Sequence, residues 1–306
     1  MIKSKILGRY TNGNYTVTIF DDGTKIREND LDNLTPAFSE NCDVKITDKC
    51  SQGCKFCYEG CTVEGKHSNI LEQPWINSLH PYTELAINGN DLDHPDLENF
   101  LWFLRGKRVI ANMTVNQNQF INNYPKIREW IDKKIIWGLG VSYKNDPEII
   151  IQYLKDIPNA VLHVVNGIIT EGDFKGLSGK GLKVLILGYK TRGRGVSYAK
   201  ENQDEIQKNI SWLHDNLENL IPQFKVVSFD NLAIEQLKVK RLLGEEEWKE
   251  FYMGDDGQYT FYIDAVSGTF SRDSVTAETT RYPIENKTVD EMFNIIRDEE
   301  NKNRSI

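Results

Sequence analysis

Long apolar runs are absent from this 306-residue sequence, in which hydrophobic residues make up 39% and charged residues 27%. No stretch approaches the roughly 18 consecutive apolar residues that a membrane-spanning helix needs. Residues 1–10 also lack the apolar core of a signal peptide. We therefore expect a globular, cytoplasmic protein that has no membrane partner.

An excess of positive charge is absent as well, because 37 Lys and Arg stand against 45 Asp and Glu, for a net charge of −8. An acidic protein gains no general attraction to nucleic-acid phosphates, although a local basic groove is compatible with this balance. The composition therefore excludes a protein that binds nucleic acid through overall charge.

Cysteine is absent after residue 61, and all five cysteines lie between Cys42 and Cys61. A disulfide framework would distribute an even number of cysteines so that they connect distant parts of the chain. The five histidines are scattered and show no metal-ligand spacing. Such local clustering of thiols in a cytosolic chain indicates metal binding.

Three of the thiols form a C-x₃-C-x₂-C triplet, Cys50, Cys54 and Cys57, directly after a short apolar segment. Iron–sulfur clusters are held by closely spaced cysteine thiolates. Three thiolates from one loop would leave one iron of a four-iron cluster open to a small molecule. Zinc is the alternative, and it would need a fourth ligand, such as Cys42 or Cys61.

Strand-like and helix-like segments alternate from residue 43 onward. The predicted strands are residues 43–48, 84–88, 108–115, 137–143, 160–166, 182–188 and 225–230. The predicted helices are residues 96–105, 117–133, 147–155 and 203–220. This series predicts an α/β fold, a partial (β/α)₆ TIM-like barrel with parallel strands and right-handed crossovers. Chemistry in such barrels lies at the C-terminal ends of the strands, where the triplet falls.

Different patterns flank the barrel region. Alternating residues 15–20, the Asp21-Asp22-Gly23 turn and residues 24–28 predict an N-terminal β-hairpin. A second hairpin is predicted over residues 258–272, followed by an amphipathic helix near the C-terminus. The predicted organisation is an N-terminal hairpin with its linker (1–42), the barrel (43–240) and a C-terminal α+β extension (241–306).

Two aromatic residues complete the triplet, with Phe56 directly before its third cysteine and Tyr58 directly after it. This arrangement, placed after the first strand of a βα series, resembles the signature of the radical S-adenosylmethionine (SAM) superfamily. The resemblance implies a single [4Fe-4S] cluster on Cys50, Cys54 and Cys57, with SAM on the open iron and the two aromatics beside the cluster and adenine. It also implies reductive cleavage of SAM to a 5′-deoxyadenosyl radical that abstracts hydrogen from a substrate. A low-potential donor such as a flavodoxin or ferredoxin would supply the electron.

The resemblance further assigns SAM contacts to five residues at predicted strand ends. Asn88, Gly89 and Asn90 stand where the family has a Gly-Gly-Glu motif, and Asn90 can still accept a hydrogen bond from an ammonium group, without charge assistance. Ser142 and Asn166 stand at the ends of the fourth and fifth strands. The alternatives are an Asn-Gly turn and ordinary helix caps.

Three cations are candidate catalytic or substrate-binding residues. Lys45 alternates with apolar neighbours and is predicted to face the barrel interior, where its charge requires either an ion pair or a substrate contact. Lys190 and Arg192, together with Arg194, lie among glycines after the sixth strand. They would suit carboxylate or phosphate recognition, and a solvated basic loop is the alternative.

The C-terminal extension resembles the region in which peptide-modifying members of the superfamily carry cysteines for auxiliary clusters. This chain has no cysteine there, so we expect one cluster. The resemblance favours a peptide or protein side chain as substrate. A nucleotide or nucleic-acid tailoring enzyme is the alternative, and a non-catalytic binding protein that retains the fold is a third possibility.

Overall fold

The computed structural model describes residues 4–31, 33–88 and 91–304 of the chain. The strands in these ranges are β1 (Ile6–Asn12), β2 (Tyr15–Phe20), β3 (Lys25–Glu28), β4 (Asn41–Lys45), β5 (Glu84–Asn88), β6 (Ile110–Asn116), β7 (Gly138–Ser142), β8 (Ala160–Val165), β9 (Lys183–Leu187), β10 (Val226–Phe229), β11 (Thr260–Asp264), β12 (Thr269–Ser271) and β13 (Tyr282–Pro283). The helices are α1 (Leu97–Gly106), α2 (Gln117–Asn122), α3 (Tyr124–Asp132), α4 (Pro147–Leu154), α5 (Glu171–Leu177), α6 (Arg194–Glu201), α7 (Gln203–Leu220), α8 (Asn231–Gln236), α9 (Glu245–Phe251) and α10 (Val289–Arg304).

A large, mostly parallel sheet organises the mixed α/β fold. Its strand order within the described residues is β10-β9-β8-β7-β6-β5-β4-β11-β12-β13. The seven strands from β4 to β10 run parallel to their neighbours, and helices occupy most of the crossovers between them. The predicted parallel α/β sheet is therefore confirmed. The first predicted strand, residues 43–48, is shifted, because β4 ends at Lys45 and the chain then enters a loop.

One face of the parallel sheet packs against the helices. Apolar side chains at alternate strand positions, such as Leu85 and Ile87 of β5, are fully buried there. Helix α1 covers them with an apolar stripe that includes Phe100 and Leu104. Burial of each such side chain stabilises the fold by about 1.5–3 kcal/mol. Period-two strands and period-3.6 helices therefore build a single core between the two layers.

The helix predictions differ in how well they match the structure. Residues 203–220 form α7 as predicted, with Leu213 and Leu217 buried. The predicted helix 117–133 is instead two helices, α2 and α3, separated at Asn123. Pro125 lies in the first turn of α3, where a missing N–H is tolerated, so the chain restarts a helix there and does not continue one.

The N-terminal segment is a three-stranded antiparallel sheet in which β2 pairs with both β1 and β3. The hairpin prediction was incomplete, because β1 has one buried residue, Asn12, and gives no alternating apolar pattern. Gly8 lies so close to Tyr82 that a Cβ atom there would be 2.3 Å from its ring. A salt bridge of 2.6 Å from Lys25 to Glu84 at the start of β5 joins this sheet to the main sheet. The N-terminal segment therefore covers the end of the main sheet at which the parallel strands begin.

A cavity of about 310 Å³ separates the N-terminal sheet from the face of the main sheet opposite the helices. We call it the base cavity. Its lining from the main sheet includes Ala86, Asn112, Gly140, His163 and Leu185. These residues belong to β5, β6, β7, β8 and β9, and β10 adds a serine, so six neighbouring strands contact one cavity.

The C-terminal segment contributes to the same main sheet. The predicted hairpin is confirmed as β11 and β12, and β11 also pairs in parallel with β4, which places Asp264 opposite Lys45. The apolar stripe predicted for the last helix is buried in α10. Within the described ranges, no helix has both the length and the apolar character that crossing a membrane requires.

Candidate functional site

The predicted site residues gather at one edge of the parallel sheet. The cysteine triplet follows β4, Asn88 ends β5, Ser142 ends β7 and Asn166 directly follows β8. Residues 188–195, which carry Lys190, Arg192 and Arg194 and which we call the basic loop, follow β9. The carboxyl ends of parallel strands share an edge, so residues far apart in sequence become neighbours. Gly89 and Asn90, also predicted to contact SAM, lie outside the described residues.

The triplet lies on a loop, residues 46–67, that we call the cysteine loop. Backbone hydrogen bonds close it, since the Cys50 N–H donates to the Thr62 carbonyl over 2.8 Å and the Thr62 N–H donates to the Asp48 carbonyl over 3.1 Å. The Cys57 N–H donates to the Cys54 carbonyl over 3.2 Å. The three triplet residues are partly exposed, whereas the other two cysteines of the chain are buried.

Arg194, at the start of α6, holds the cysteine loop in place. Its guanidinium donates from Nε to the Cys54 carbonyl over 2.9 Å and from Nη1 to the Cys61 carbonyl over 2.8 Å. Its backbone N–H donates to the Cys57 carbonyl over 3.0 Å. Three contacts from one residue therefore fix the backbone around the second and third thiols of the triplet.

Two glycines on either side of Arg194 permit this close approach. Gly193 has φ +52°, and a Cβ atom there would lie 2.4 Å from the Tyr58 carbonyl oxygen. A Cβ atom on Gly195 would lie 2.4 Å from the Lys190 carbonyl oxygen. Glycine is needed at position 193 because the backbones of the cysteine loop and the basic loop are in direct contact there, and at position 195 because the basic loop folds back on its own backbone.

The thiols of the cysteine loop have different electrostatic surroundings. A hydrogen bond with the Cys61 thiol, aided by the nearby Arg194 charge, lowers the pKa of Cys57 to about 6. Burial raises the pKa of Cys50 and of Cys54, and the positive charge of Arg194 opposes that rise. The guanidinium therefore favours the thiolate form at each triplet position, which is the form that binds metals.

The arrangement does not match a site for a single metal ion. Among residues 4–31, 33–88 and 91–304, no three His, Cys, Asp or Glu side chains are grouped so that they could hold one ion. A zinc site needs donors that converge on one point at about 2.0–2.3 Å. The thiols of the cysteine loop do not converge in that way in this conformation. Cys42, which could have completed a zinc site, is buried in β4 with its sulfur 3.1 Å from the Ser39 hydroxyl.

Two of the predicted SAM contacts have a buried acceptor without a partner. The Oδ1 atoms of Asn88 and Asn166 are both buried, and no hydrogen bond reaches either one from the described part of the chain. An unsatisfied buried acceptor costs about 1–3 kcal/mol, so it is rare unless something else satisfies it. Both atoms therefore mark places where a ligand donor would stabilise the protein.

Gln236 of α8 fixes the orientation of Asn166. Its Nε2 donates to the Tyr189 carbonyl over 2.9 Å, and its Oε1 accepts from the Tyr189 N–H over 2.9 Å. The same Oε1 accepts from Asn166 Nδ2 over 3.0 Å. Because the backbone of Tyr189 sets the orientation of the glutamine amide, the Asn166 amide must present its oxygen as the free acceptor.

The predicted aromatic contacts pack on either side of the cysteine loop. Lys190 Nζ lies 4.1 Å from the centre of the Tyr58 ring. At this distance the positive charge of the lysine is attracted to the face of the aromatic ring. Phe56 packs edge-on against Tyr198 of α6, with 5.9 Å between ring centres. Tyr58 is thus covered by the basic loop, and Phe56 lies on the side of α6.

Lys45 is part of a buried ion cluster. Its Nζ lies 2.6 Å from Asp48, 3.2 Å from Glu59 and 3.1 Å from Asp264, and Arg281 lies 3.2 Å from Asp264. Burial alone would lower the pKa of Lys45, but these carboxylates hold it above its ordinary value. The ion pairs satisfy the charge that the sequence left open, and a catalytic role for Lys45 stays a prediction.

The other two candidate cations contact the C-terminal segment. Lys190 donates to the Ser274 hydroxyl over 3.1 Å. Arg192 donates to the Ser274 and Thr276 carbonyls over 2.6 and 2.8 Å, and it pairs with Glu278 at 2.9 Å. The basic loop is therefore more than a solvated surface, because it joins the cysteine loop to the C-terminal segment. Substrate contacts by these two residues stay predictions.

Sequence reasoning missed two residues, Arg194, which fixes the cysteine loop, and His163, which lines the base cavity. Arg194 was grouped with the other cations of its loop, although the alternation of glycine and arginine around it is a signal of close backbone approach. His163 was set aside because it has no metal-ligand spacing. It lines the base cavity beside Gly140, where a Cβ atom would be 2.3 Å from the imidazole.

Comparisons with known proteins do not place the chain in a family. No family model matches the sequence, and no curated protein matches it. The chemistry of the site is therefore inferred from the residues themselves and from the motif that they form.

Proposed function

We propose that this chain is a radical SAM enzyme in which Cys50, Cys54 and Cys57 bind a [4Fe-4S] cluster. The observation that carries the proposal is a set of three partly exposed thiols on one loop that Arg194 fixes at the C-terminal edge of a parallel sheet. A four-iron cluster binds each thiolate at a different iron, so its ligands surround the cluster and do not converge on one point. With SAM on the fourth iron, the cluster would supply the electron that gives methionine and a 5′-deoxyadenosyl radical, which takes hydrogen from the substrate.

The lining of the base cavity supports a partial (β/α)₆ barrel, because it includes residues of six neighbouring strands. Six neighbouring strands, β5 to β10, would span about 24 Å if the sheet were flat, since strands lie about 4.8 Å apart. All six nevertheless contact the one base cavity. A strongly curved sheet explains how one cavity can reach all of them.

The unsatisfied asparagine oxygens support binding of SAM beside the cysteine loop. SAM carries two groups that donate hydrogen bonds from nitrogen, the ammonium of its methionine part and the amino group of its adenine. Asn88 and Asn166 present buried acceptors at the ends of β5 and β8, and Ser142 offers a hydroxyl at the end of β7 between them. We assign the ammonium to Asn88, which neighbours β4 and its loop, and the adenine to Asn166.

The C-terminal segment supports closure of this edge against water. The ion cluster of Lys45 joins β4 to β11, and Arg192 holds the backbone near Ser274. A reactive intermediate formed at this edge has to be kept from water and from stray C–H bonds. The contacts of these cations give the C-terminal segment that covering role.

A peptide or protein side chain is the substrate that we favour. The cations that would bind the phosphates of a nucleotide are engaged by protein groups, since Lys190 and Arg192 contact the C-terminal segment and Arg194 contacts the cysteine loop. A nucleotide substrate would have to displace those contacts. This observation favours the peptide alternative over the nucleotide one.

Anaerobic reconstitution tests the proposal. The wild-type chain should bind about four irons with matching sulfide, and its dithionite-reduced electron paramagnetic resonance spectrum should change when SAM is added. The variant Cys50→Ala/Cys54→Ala/Cys57→Ala should bind no cluster. Cys42→Ala is the matched control and should keep the cluster. Stoichiometric zinc in the wild-type chain, or equal iron in the triple variant, would contradict the proposal.

A further inference from the structure

The base cavity has mostly apolar walls. The N-terminal sheet contributes Leu7, Ile19 and Phe20 as its floor, and Trp137 and Leu185 lie on the side of the main sheet. Its volume of about 310 Å³ is at the lower end of the range typical of small-molecule sites. A cavity of this size and lining suits one compact organic group.

His163 is one of the uncharged polar side chains in the lining that have no side-chain hydrogen bond among the described residues, as are the hydroxyls of Thr114 and Ser228. No hydrogen bond from the described residues reaches its imidazole, and the ring lies over Gly140 within the cavity wall. Burial lowers the pKa of His163 to about 4, so the ring is neutral at pH 7. A neutral imidazole has one N–H donor and one nitrogen acceptor, so it can either donate a hydrogen bond to a hydroxyl group or accept one from it.

Each carboxylate of the lining has a protein partner, either an ion pair or a hydrogen-bond donor. Glu84 pairs with Lys25 at 2.6 Å, and Asp21 accepts from the Lys5 N–H over 2.8 Å. Asp22 accepts from the Thr24 N–H over 3.0 Å. Among the described residues that line the cavity, Lys183 is the one cation, and it lies near Asp22. An anionic ligand would meet more carboxylates than cations, so the lining disfavours it.

We propose that the base cavity binds an uncharged, largely apolar organic group that carries one hydroxyl, with His163 as the hydrogen-bond partner of that hydroxyl. The walls disfavour a strongly hydrated group because apolar side chains make up most of their exposed surface. The neutral ring and the excess of carboxylates over cations disfavour an anion.

The position of the cavity connects this ligand to the proposed reaction. His163 is in register with Ser142 at the end of β7, and it lies two residues before the end of β8. Two residues of a strand span about 7 Å. A substrate whose reacting carbon is at the strand ends could therefore place a hydroxyl-bearing side group in the cavity. This part rests on the proposed function, whereas binding by the cavity does not.

Calorimetric titration of the full-length chain, without added SAM, tests the binding with three related aromatic probes. These are 4-methylphenol, toluene, which lacks the hydroxyl, and 4-methylbenzoate, which is an anion. We expect 4-methylphenol to bind more tightly than toluene, and 4-methylbenzoate not to bind. His163→Phe should weaken 4-methylphenol about tenfold and leave toluene unchanged, as loss of one hydrogen bond predicts. Ala86→Leu fills the cavity and should weaken both neutral probes.

His214→Phe on α7, outside the cavity, is the matched control and should change nothing. Equal binding of 4-methylphenol to the wild-type chain and to His163→Phe would overturn the proposal, and so would binding of 4-methylbenzoate as tight as that of 4-methylphenol. If Ala86→Leu does not fold, the His163→Phe result decides alone. Predicted probe binding together with no SAM cleavage would support this cavity and contradict the proposed function, so the two failures are distinguishable.

Discussion

Replacement of Arg194 by glutamine should release the cysteine loop. The guanidinium is partly buried, and it makes two side-chain hydrogen bonds, to the Cys54 and Cys61 carbonyls at 2.9 and 2.8 Å. The backbone hydrogen bond from residue 194 to the Cys57 carbonyl does not depend on the side chain. The substitution therefore removes two of the three contacts and leaves the third.

The size of the effect follows from the charge of the donor. A hydrogen bond from a charged group contributes about 1.5–3 kcal/mol. At the lower value for a partly buried group, the loss of two gives about 3 kcal/mol for opening of the loop. Because each 1.4 kcal/mol is a factor of about ten, the open population should rise about a hundredfold.

Hydrogen exchange measures that population directly. The amides of Cys50, Gly60 and Thr62 are bonded within the loop, so their exchange in Arg194→Gln should accelerate about a hundredfold if local opening governs it. Arg194→Lys keeps the charge and should lie between wild type and Arg194→Gln. Arg9→Gln, which removes an exposed salt bridge to Glu28, is the control and should leave the loop unchanged. If these amides exchange in Arg194→Gln at the wild-type rate, Arg194 does not hold the cysteine loop closed.

Three further predictions concern Lys45, Gly193 and His163. Lys45→Met should lower the free energy of unfolding in urea by about 3–5 kcal/mol, because it takes the Lys45 cation from the buried Glu59 carboxylate, while Asp264 keeps Arg281. The exposed control Lys126→Met should cost less than about 1 kcal/mol, and similar losses in the two variants would contradict the ion-cluster interpretation. Gly193→Ala should reduce iron incorporation and the hydrogen-exchange protection of the cysteine loop, because its Cβ would contact the Tyr58 carbonyl. Gly179→Ala, at a position with positive φ and open space, is the control and should retain both. Equal behaviour of the two variants would argue against close packing of the two loops. The pKa of His163 is about 6.5 in the unfolded chain and about 4 in the folded protein. The difference in free energy of unfolding between the wild type and His163→Gln should therefore fall by up to about 3 kcal/mol as the pH drops from 6.5 to 4. Burial also raises the pKa of Asp43 to about 6, which gives the stability of both proteins a pH dependence of the opposite sign. The quantity to compare is therefore the difference in unfolding free energy between the two proteins, measured in urea at each pH. A difference that does not change with pH would contradict a buried, neutral imidazole.

The parallel strands could be predicted because their signal is local. Each consists of alternate or continuous apolar residues bounded by turn residues, and β5 was predicted to the residue. Strand β1 could not be predicted, since Asn12 is its one buried residue and its pairing with β2 provides the stabilisation. The parallel pairing of β11 with β4 joins residues more than 200 positions apart, and no local pattern encodes it.

The site was predictable in its chemistry and less so in its geometry. The spacing of the triplet and its place after β4 could be read directly from the sequence. The partners of Lys45 and Arg194 depend on which loops meet at the strand ends, and this is decided by tertiary packing. The orientation of Asn166 depends on Gln236, which lies 70 positions away. Residues whose role is set by distant neighbours are the ones that sequence patterns miss.

Formation of 5′-deoxyadenosine is the measurement that tests the central claim most directly. The wild-type chain, reconstituted without oxygen and given dithionite and SAM, should release 5′-deoxyadenosine and methionine, and the Cys42→Ala chain should do the same. The triple variant Cys50→Ala/Cys54→Ala/Cys57→Ala should release neither. If the wild-type chain carries a full cluster and yields no more 5′-deoxyadenosine than the triple variant, the assignment as a radical SAM enzyme is contradicted.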